Sequence, residues 1–193
     1  MVDACEVDNF GTKGDRFLLD AMGMHEGPPE FSAKGKRLVL DYQERHAATW
    51  WRSEGLLHQR VVSYAEFELI PSRDRPAISG KRFQQNGFHG TRHSSEQIVP
   101  TTLPFNSNVD RSLCSEFQLL NGLCEELLRP SAGDAQATLA SVQGWLHIFV
   151  TGAPCLSCVG AMRQFQLLLP SVTLKVSIGP ELQYAALEGS GEN

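Results

Sequence analysis

Hydrophobic and polar positions change period along the chain, and each change predicts an element. From Val61 to Ile70 the pattern alternates. Val61, Ala65, Phe67 and Leu69 fall on one side, and Ser63, Glu66 and Glu68 largely on the other, which reads as a half-buried strand closed by Pro71. Trp145 to Val150 is a near-continuous apolar run of buried-strand length. Val172, Leu174, Val176 and Ile178 alternate with Thr173, Lys175 and Ser177 in a last strand, ended by Gly179-Pro180. Between these stretches the period lengthens to that of a helix. Phe31 to Glu54 carries Leu38, Tyr42, Arg45 and Thr49 at helical spacing, with Ser32 as N-cap and Gly55 as stop. Asp110 or Ser112 caps a strong helix whose Leu113, Glu116, Phe117, Leu120, Leu123, Cys124, Leu127 and Leu128 share one face before Arg129-Pro130 ends it. Val159 to Leu169 places Met162, Phe165 and Leu169 on one face, and Pro170 stops it. Gln97 to Pro104 reads as a second strand that its prolines confine to an edge or a loop.

The order of these elements fixes the expected class. Strands alternating with helices in the later part imply parallel pairing and an α/β fold. Residues 1–30 show no sustained period and read as a mobile N-terminal extension, with at most a helical turn at Phe17-Leu18-Leu19. Residues 31–180 then form one domain, and 181–193 a short polar tail. There is no internal repeat.

Composition narrows the function classes. No apolar run reaches membrane-span length, so no membrane partner is expected. The acidic N-terminus lacks the basic-then-apolar order of a signal peptide. A cytoplasmic location is the expectation, with secretion by a route that leaves no such signal as the alternative. The net charge of −5 offers no general attraction to nucleic acid. The stretch Ser72 to Ser95 stands apart from that average. It holds Arg73, Arg75, Lys81, Arg82 and Arg92, with His89 and His93, against the single acid Asp74. Phe83 and Phe88 are interleaved. A single-stranded backbone and its bases suit such a segment; a solvated hairpin loop is the plainer reading.

The five cysteines, an odd number without a signal peptide, argue against a disulfide framework. Cys5 reads as a bystander and Cys124 as an inert core thiol. The other three fall in two stretches. Thr151-Gly152-Ala153-Pro154-Cys155-Leu156-Ser157-Cys158 follows a strand and opens a helix; Cys114-Ser115-Glu116 opens another. Taken alone, Cys155 and Cys158 can hold a metal, form a redox disulfide or simply pack. Glu116 on an apolar helix face must be paired, metal-associated or protonated. Brought together, the two stretches would offer three thiolates at helix N-termini, which leaves a fourth position on zinc for water. Three thiolates make the centre anionic, and Arg111 or Arg163 could offset that charge.

Cys114-x-Glu116 followed by Pro154-Cys155-x-x-Cys158 resembles the signature of the zinc-dependent cytidine deaminase-like superfamily, in a variant with Cys in place of the usual His. The resemblance runs from Asp110 to Ile178. With Phe165-x-x-x-x-Pro170, it is most similar to the deaminases of bacterial polymorphic toxin systems and their eukaryotic relatives. It implies a three-layer α-β-α fold with a mixed β-sheet and the zinc site at two helix N-termini. It also implies Cys114, Cys155 and Cys158 as ligands of Zn2+, Glu116 as proton shuttle, and hydrolytic conversion of cytosine, less often adenine. Single-stranded DNA or RNA is the expected substrate, a free nucleoside or nucleotide the alternative, and an immunity protein the expected partner if the chain is a toxin. Asn106, Asn108, Thr151, Ala153, Pro154 and Arg92 are candidate substrate contacts. Two readings compete: a binding module in which zinc only staples two helices, and a thioredoxin-like dithiol. The first has no use for Glu116, and the second leaves Cys114 and Glu116 unexplained.

Overall fold

In the computed structural model, residues 11–50, 61–71, 75–85, 97–99, 110–129 and 135–179 are described. They form an α/β structure around a mixed four-stranded sheet. The elements run α1 (Gly11–Ala21), α2 (Pro29–Trp50), β1 (Val62–Ile70), β2 (Ile78–Gln85), α3 (Ser115–Leu128), α4 (Ala135–Ala140), β3 (Gln143–Val150), α5 (Leu156–Leu168) and β4 (Ser171–Ile178). The strand order is β2-β1-β3-β4. β1 is antiparallel to both neighbours, whereas β3 and β4 are parallel and joined through α5.

Alternation along the strands sorts the side chains into two layers. Ala65, Phe67 and Leu69 of β1, Leu146, Ile148 and Val150 of β3, and Val172, Leu174 and Val176 of β4 meet α3 and α5 in the larger core. Each fully buried Leu, Ile or Phe there contributes about 1.5–3 kcal/mol. The opposite face carries Val62, Tyr64 and Phe149 against Phe31 and Val39 of α2. Gly35 lets α2 approach closely, since a Cβ at that position would stand 2.7 Å from the Phe149 ring.

Four expectations change. Residues 11–28 are not a bare extension: α1 is an eleven-residue helix, and Leu19 and Met24 are buried in the larger core. The segment after α1 covers the edge of β4, where the Val176 N–H donates to the His25 carbonyl and Ser177 Oγ accepts from the Gly27 N–H. That edge would otherwise expose unpaired backbone groups. Second, α2 begins at Pro29, a favoured first helical residue. Ser32 therefore lies inside the helix, and its hydroxyl donates to Ser177 Oγ instead of capping. Third, the strand beside β1 is Ile78–Gln85, within the basic stretch; residues 97–99 pair with no described strand, and residues 100–104 lie outside the described residues. There Asn121 Oδ1 accepts from the Gln97 and Ile98 N–H groups. Fourth, Ser63 shares a face with Ala65 and Phe67, as its odd position requires, and is fully buried.

The chain around the site helix differs in detail. Asp110 caps a 3-10 turn, Arg111–Leu113, and α3 starts after it, at Ser115. Every residue from Ser115 to Asn121 is buried, because α3 packs against β1 and β2 of the sheet and against α4 and α5. Among the described residues, no helix is long and apolar enough to cross a membrane.

Candidate metal centre

The two cysteine stretches come together at one end of the sheet. β3 delivers the chain to Val150, and the turn 151–154 leads into α5. Cys155 is the N-cap of α5, and Cys158 lies in its first turn. Cys114 is the N-cap of α3, and both caps have extended backbone. Two helix N-termini, each with partial positive charge, therefore converge on one spot.

The sulfurs of Cys114, Cys155 and Cys158 lie within 4.8 Å of one another, and those of Cys155 and Cys158 are 3.3 Å apart. Cys158 is buried and the other two are partly buried. The three sulfurs could hold a metal ion. Hydrogen bonds from Cys114 and then Cys158 pull the Cys155 thiol down to about 3, against its burial and with help from Arg111. The bond to Cys155 holds Cys114 above its ordinary value, the bonds to Cys114 and then Cys155 hold Cys158 above its own, and burial acts in the same direction on both. The cluster thus favours one anionic sulfur flanked by two donors, a disposition that a cation would extend to all three.

Glu116 follows at the second residue of α3 and is 2% exposed. Burial pushes its carboxyl above the usual range, and the Cys155 charge adds to this, while its own backbone N–H and Ser115 oppose. Ser115 Oγ donates to Glu116 Oε2 at 2.9 Å and lies 2.8 Å from Ser63 Oγ. Sequence reasoning missed both serines. A serine at either position reads as a surface residue, so no signal in the sequence singled them out.

The other expected residues divide. Arg111 is buried at 3% exposure and stabilises charge on Cys155, whereas Arg163 is exposed and donates to Gln166. Thr151 is expected as a substrate contact, but its Oγ1 accepts from the Val62 N–H at 3.0 Å and it is buried. It fastens the turn to β1. Pro154 is buried, and Ala153 is partly exposed. Beside it a Cβ at Gly152 would meet nothing within 4 Å among the described residues. Asn106, Asn108 and Arg92 lie outside the described residues, as do Arg73, His89, His93, Trp51 and Cys5. Cys124 is fully buried, and desolvation pushes its thiol up to about 12, as an inert core thiol requires.

Part of the basic stretch is committed internally. Arg82 pairs with Glu126 and lies over the Phe67 ring, and Arg75 donates to the Leu127 carbonyl at 2.6 Å. Phe83 stacks on Tyr42 and packs against Tyr64. Lys81 remains exposed. No protein-family model, no curated protein and no solved structure matches the chain.

Proposed function

We propose that the protein is a zinc-dependent hydrolytic deaminase that converts cytosine to uracil, with Cys114, Cys155 and Cys158 as zinc ligands and Glu116 as the proton-transfer group. The observation that carries this reading is a fully buried carboxylate two residues from one thiol of a three-thiol cluster. A structural metal site has no use for such a carboxylate, whose desolvation costs free energy. The resemblance of Cys114-x-Glu116 and Pro154-Cys155-x-x-Cys158 to cytidine deaminase-like enzymes supports the same roles.

The donor set fits zinc. Tetrahedral zinc with Zn–S bonds of about 2.3 Å needs sulfurs about 3.8 Å apart. That spacing lies between the 3.3 Å separation of Cys155 and Cys158 and the 4.8 Å limit of the cluster. Three protein ligands are the pattern of an open catalytic site. A bound zinc ion would supply the Lewis acidity that makes water nucleophilic near neutral pH.

The remaining chemistry belongs to the chain. Water adds to the ring carbon that bears the amino group, and ammonia leaves. Glu116 takes the proton that the attacking water gives up and delivers it to the ring nitrogen beside that carbon; it then moves the second proton, from the new hydroxyl, to the amino group, which leaves as ammonia, so the carboxylate ends the cycle as it began. Burial of Glu116 favours its neutral form and so matches it to both halves of this task. Arg111 balances part of the negative charge of three thiolates, and the two helix N-termini balance more.

Single-stranded nucleic acid is the proposed substrate, supported by the basic residues at 73, 81 and 92. The internal commitment of Arg75 and Arg82 favours the second reading, a free cytosine nucleoside or nucleotide. The two are separated by incubating zinc-loaded protein with a mixed DNA and RNA pool, sequencing it, and assaying cytidine and deoxycytidine in parallel. C-to-U changes confined to the pool support the first reading. Turnover of nucleosides alone supports the second, and no turnover of any of them refutes the proposed reaction.

A further inference from the structure

The bonding around Glu116 continues one step beyond the cysteine helices, into the sheet. Ser63, Ser115 and Glu116 form a line of buried polar side chains: both serines have no exposed surface, and Glu116 has 2%. The pairing register explains how a strand residue arrives there. Ser63 stands opposite Val150, the last residue of the strand that feeds the cysteine turn. Its neighbours on the same face, Ala65, Phe67 and Leu69, are apolar core. A hydroxyl at that position therefore interrupts a hydrophobic row at the point where the row reaches the site.

The donor order follows from counting hydrogens. A serine hydroxyl has one proton to donate. Ser115 gives its proton to Glu116 Oε2 at 2.9 Å. The 2.8 Å contact between Ser63 Oγ and Ser115 Oγ then has Ser63 as donor and Ser115 as acceptor. Each hydroxyl is polarised by the next, which strengthens the bond that ends on the carboxylate. The final torsion of a glutamate side chain is broad, so sterics alone leave the carboxylate plane loosely set. A bond from a helix residue that is itself held by a strand residue sets that plane. Proton transfer is sensitive to such placement, and a misplacement of about 1 Å can cost about 100-fold in rate.

We infer that Ser115, and through it Ser63, are positioning residues that fix the carboxylate of Glu116 for proton transfer. This rests on the reading of Glu116 as the proton-transfer group. Ser115 acts through the Glu116 carboxylate, and Ser63 acts through Ser115. The relay ties the geometry of the site to strand β1, an element that contributes no cysteine to it.

The test compares the wild type with Ser115→Ala, Ser63→Ala, the double variant and Ser115→Thr. Zinc content, melting temperature, kcat and KM for the cytosine substrate are measured in each. In parallel, crystal structures of the zinc-loaded wild type and the serine-to-alanine variants record the plane of the Glu116 carboxylate. Ser115→Ala is expected to lower kcat by about 10–100-fold with zinc content and KM unchanged. Ser63→Ala lowers kcat less, and the double variant falls no further than Ser115→Ala, because the relay runs through Ser115. Ser115→Thr keeps the hydroxyl and restores most of the rate. A kcat for Ser115→Ala within about twofold of wild type overturns the inference. So do losses that multiply in the double variant, or a loss that Ser115→Thr shares. Should Ser115→Ala fail to fold, Ser63→Ala decides: a lowered kcat with a turned carboxylate supports the relay, and an unchanged kcat overturns it. If the wild type turns over no cytosine, the proposed function fails by itself. The carboxylate plane still decides the relay, a turned plane in the variants supporting it and an unmoved plane overturning it.

Discussion

Replacing Glu116 by Gln separates its proposed part in catalysis from what it does for the fold. The side chain is buried, and desolvation is the largest influence on its carboxyl, holding it toward the neutral form. Gln keeps the length and planarity, and its amide oxygen still accepts from Ser115 Oγ, so that hydroxyl is not orphaned. Ala would instead empty the space and leave the Ser115 hydroxyl with Ser63 Oγ in place of its carboxylate acceptor, and losing a hydrogen bond to a charged group costs about 1.5–3 kcal/mol. The charge near the start of α3 contributes about 0.3–1 kcal/mol through the helix dipole, and Gln loses that. Gln also removes the burial penalty on the charged form. The two changes oppose each other, so Glu116→Gln is expected to melt within a few degrees of wild type or above it. The rate moves far more. Losing a positioned general acid–base group costs about 100–10,000-fold, or about 2.7–5.5 kcal/mol of barrier. The assay pairs metal analysis and thermal melting with single-turnover deamination of a cytosine substrate. Retained zinc, an equal or higher melting temperature and a collapsed rate are the expected set. A variant that keeps a rate within about tenfold of wild type would refute the proton-transfer role.

The fold itself makes further predictions. Gly144 has a φ of +129°, and a Cβ there would stand 2.0 Å from the Glu68 carbonyl oxygen. Gly144→Ala should cost about 3 kcal/mol or more and lower the melting temperature by roughly 6–12 °C; an unchanged melting curve would show that the β1–β3 pairing is looser than described. Burial alone would raise the Glu66 carboxyl, but the bonds from Lys34 and Tyr64 outweigh it and hold the carboxyl below 4.5. A depressed carboxyl stabilises the fold above its unfolded value, and that contribution is lost as pH falls through the lower folded one. Lys34→Ala should therefore be less stable by about 1 kcal/mol or less at neutral pH, with the gap closing below pH 4.5 in urea titrations; a gap that widens in acid would contradict the assignment. Burial, then Lys175, depresses His147 below 6.5. The fold prefers the neutral ring, so His147 should make stability decline as pH drops below 6.5 and His147→Phe should flatten that part of the profile. An unchanged slope in the variant would exclude it.

Much of the site was legible because its residues are chemically unusual where they stand. A carboxylate on an apolar helix face and thiols at helix starts need no tertiary information to draw attention. The final strand was equally plain, since Val172 to Ile178 alternates without interruption. What stayed hidden depends on contacts distant in sequence. The segment after α1 has little apolar periodicity, and its place is set by bonds to Val176 and Ser177, about 150 residues away. β2 was masked by its charges, because an edge strand whose Arg82 pairs with Glu126 of α3 need not alternate cleanly. Ser63 and Ser115 were silent because buried hydroxyls look like surface ones until their partners are known. Thr151 suggested a substrate contact by its position, but its hydroxyl accepts a backbone bond from the neighbouring strand.

The three-thiol site is the claim on which the rest depends, and metal stoichiometry tests it most directly. Protein prepared with zinc and freed of loosely bound ions should carry about one zinc per chain. Cys124→Ala should keep that metal, because its thiol lies in the core away from the cluster. Cys114→Ser, Cys155→Ser and Cys158→Ser should each lose most of it. A folded wild type free of metal, or a full complement of zinc in the triple serine variant, would contradict the assignment.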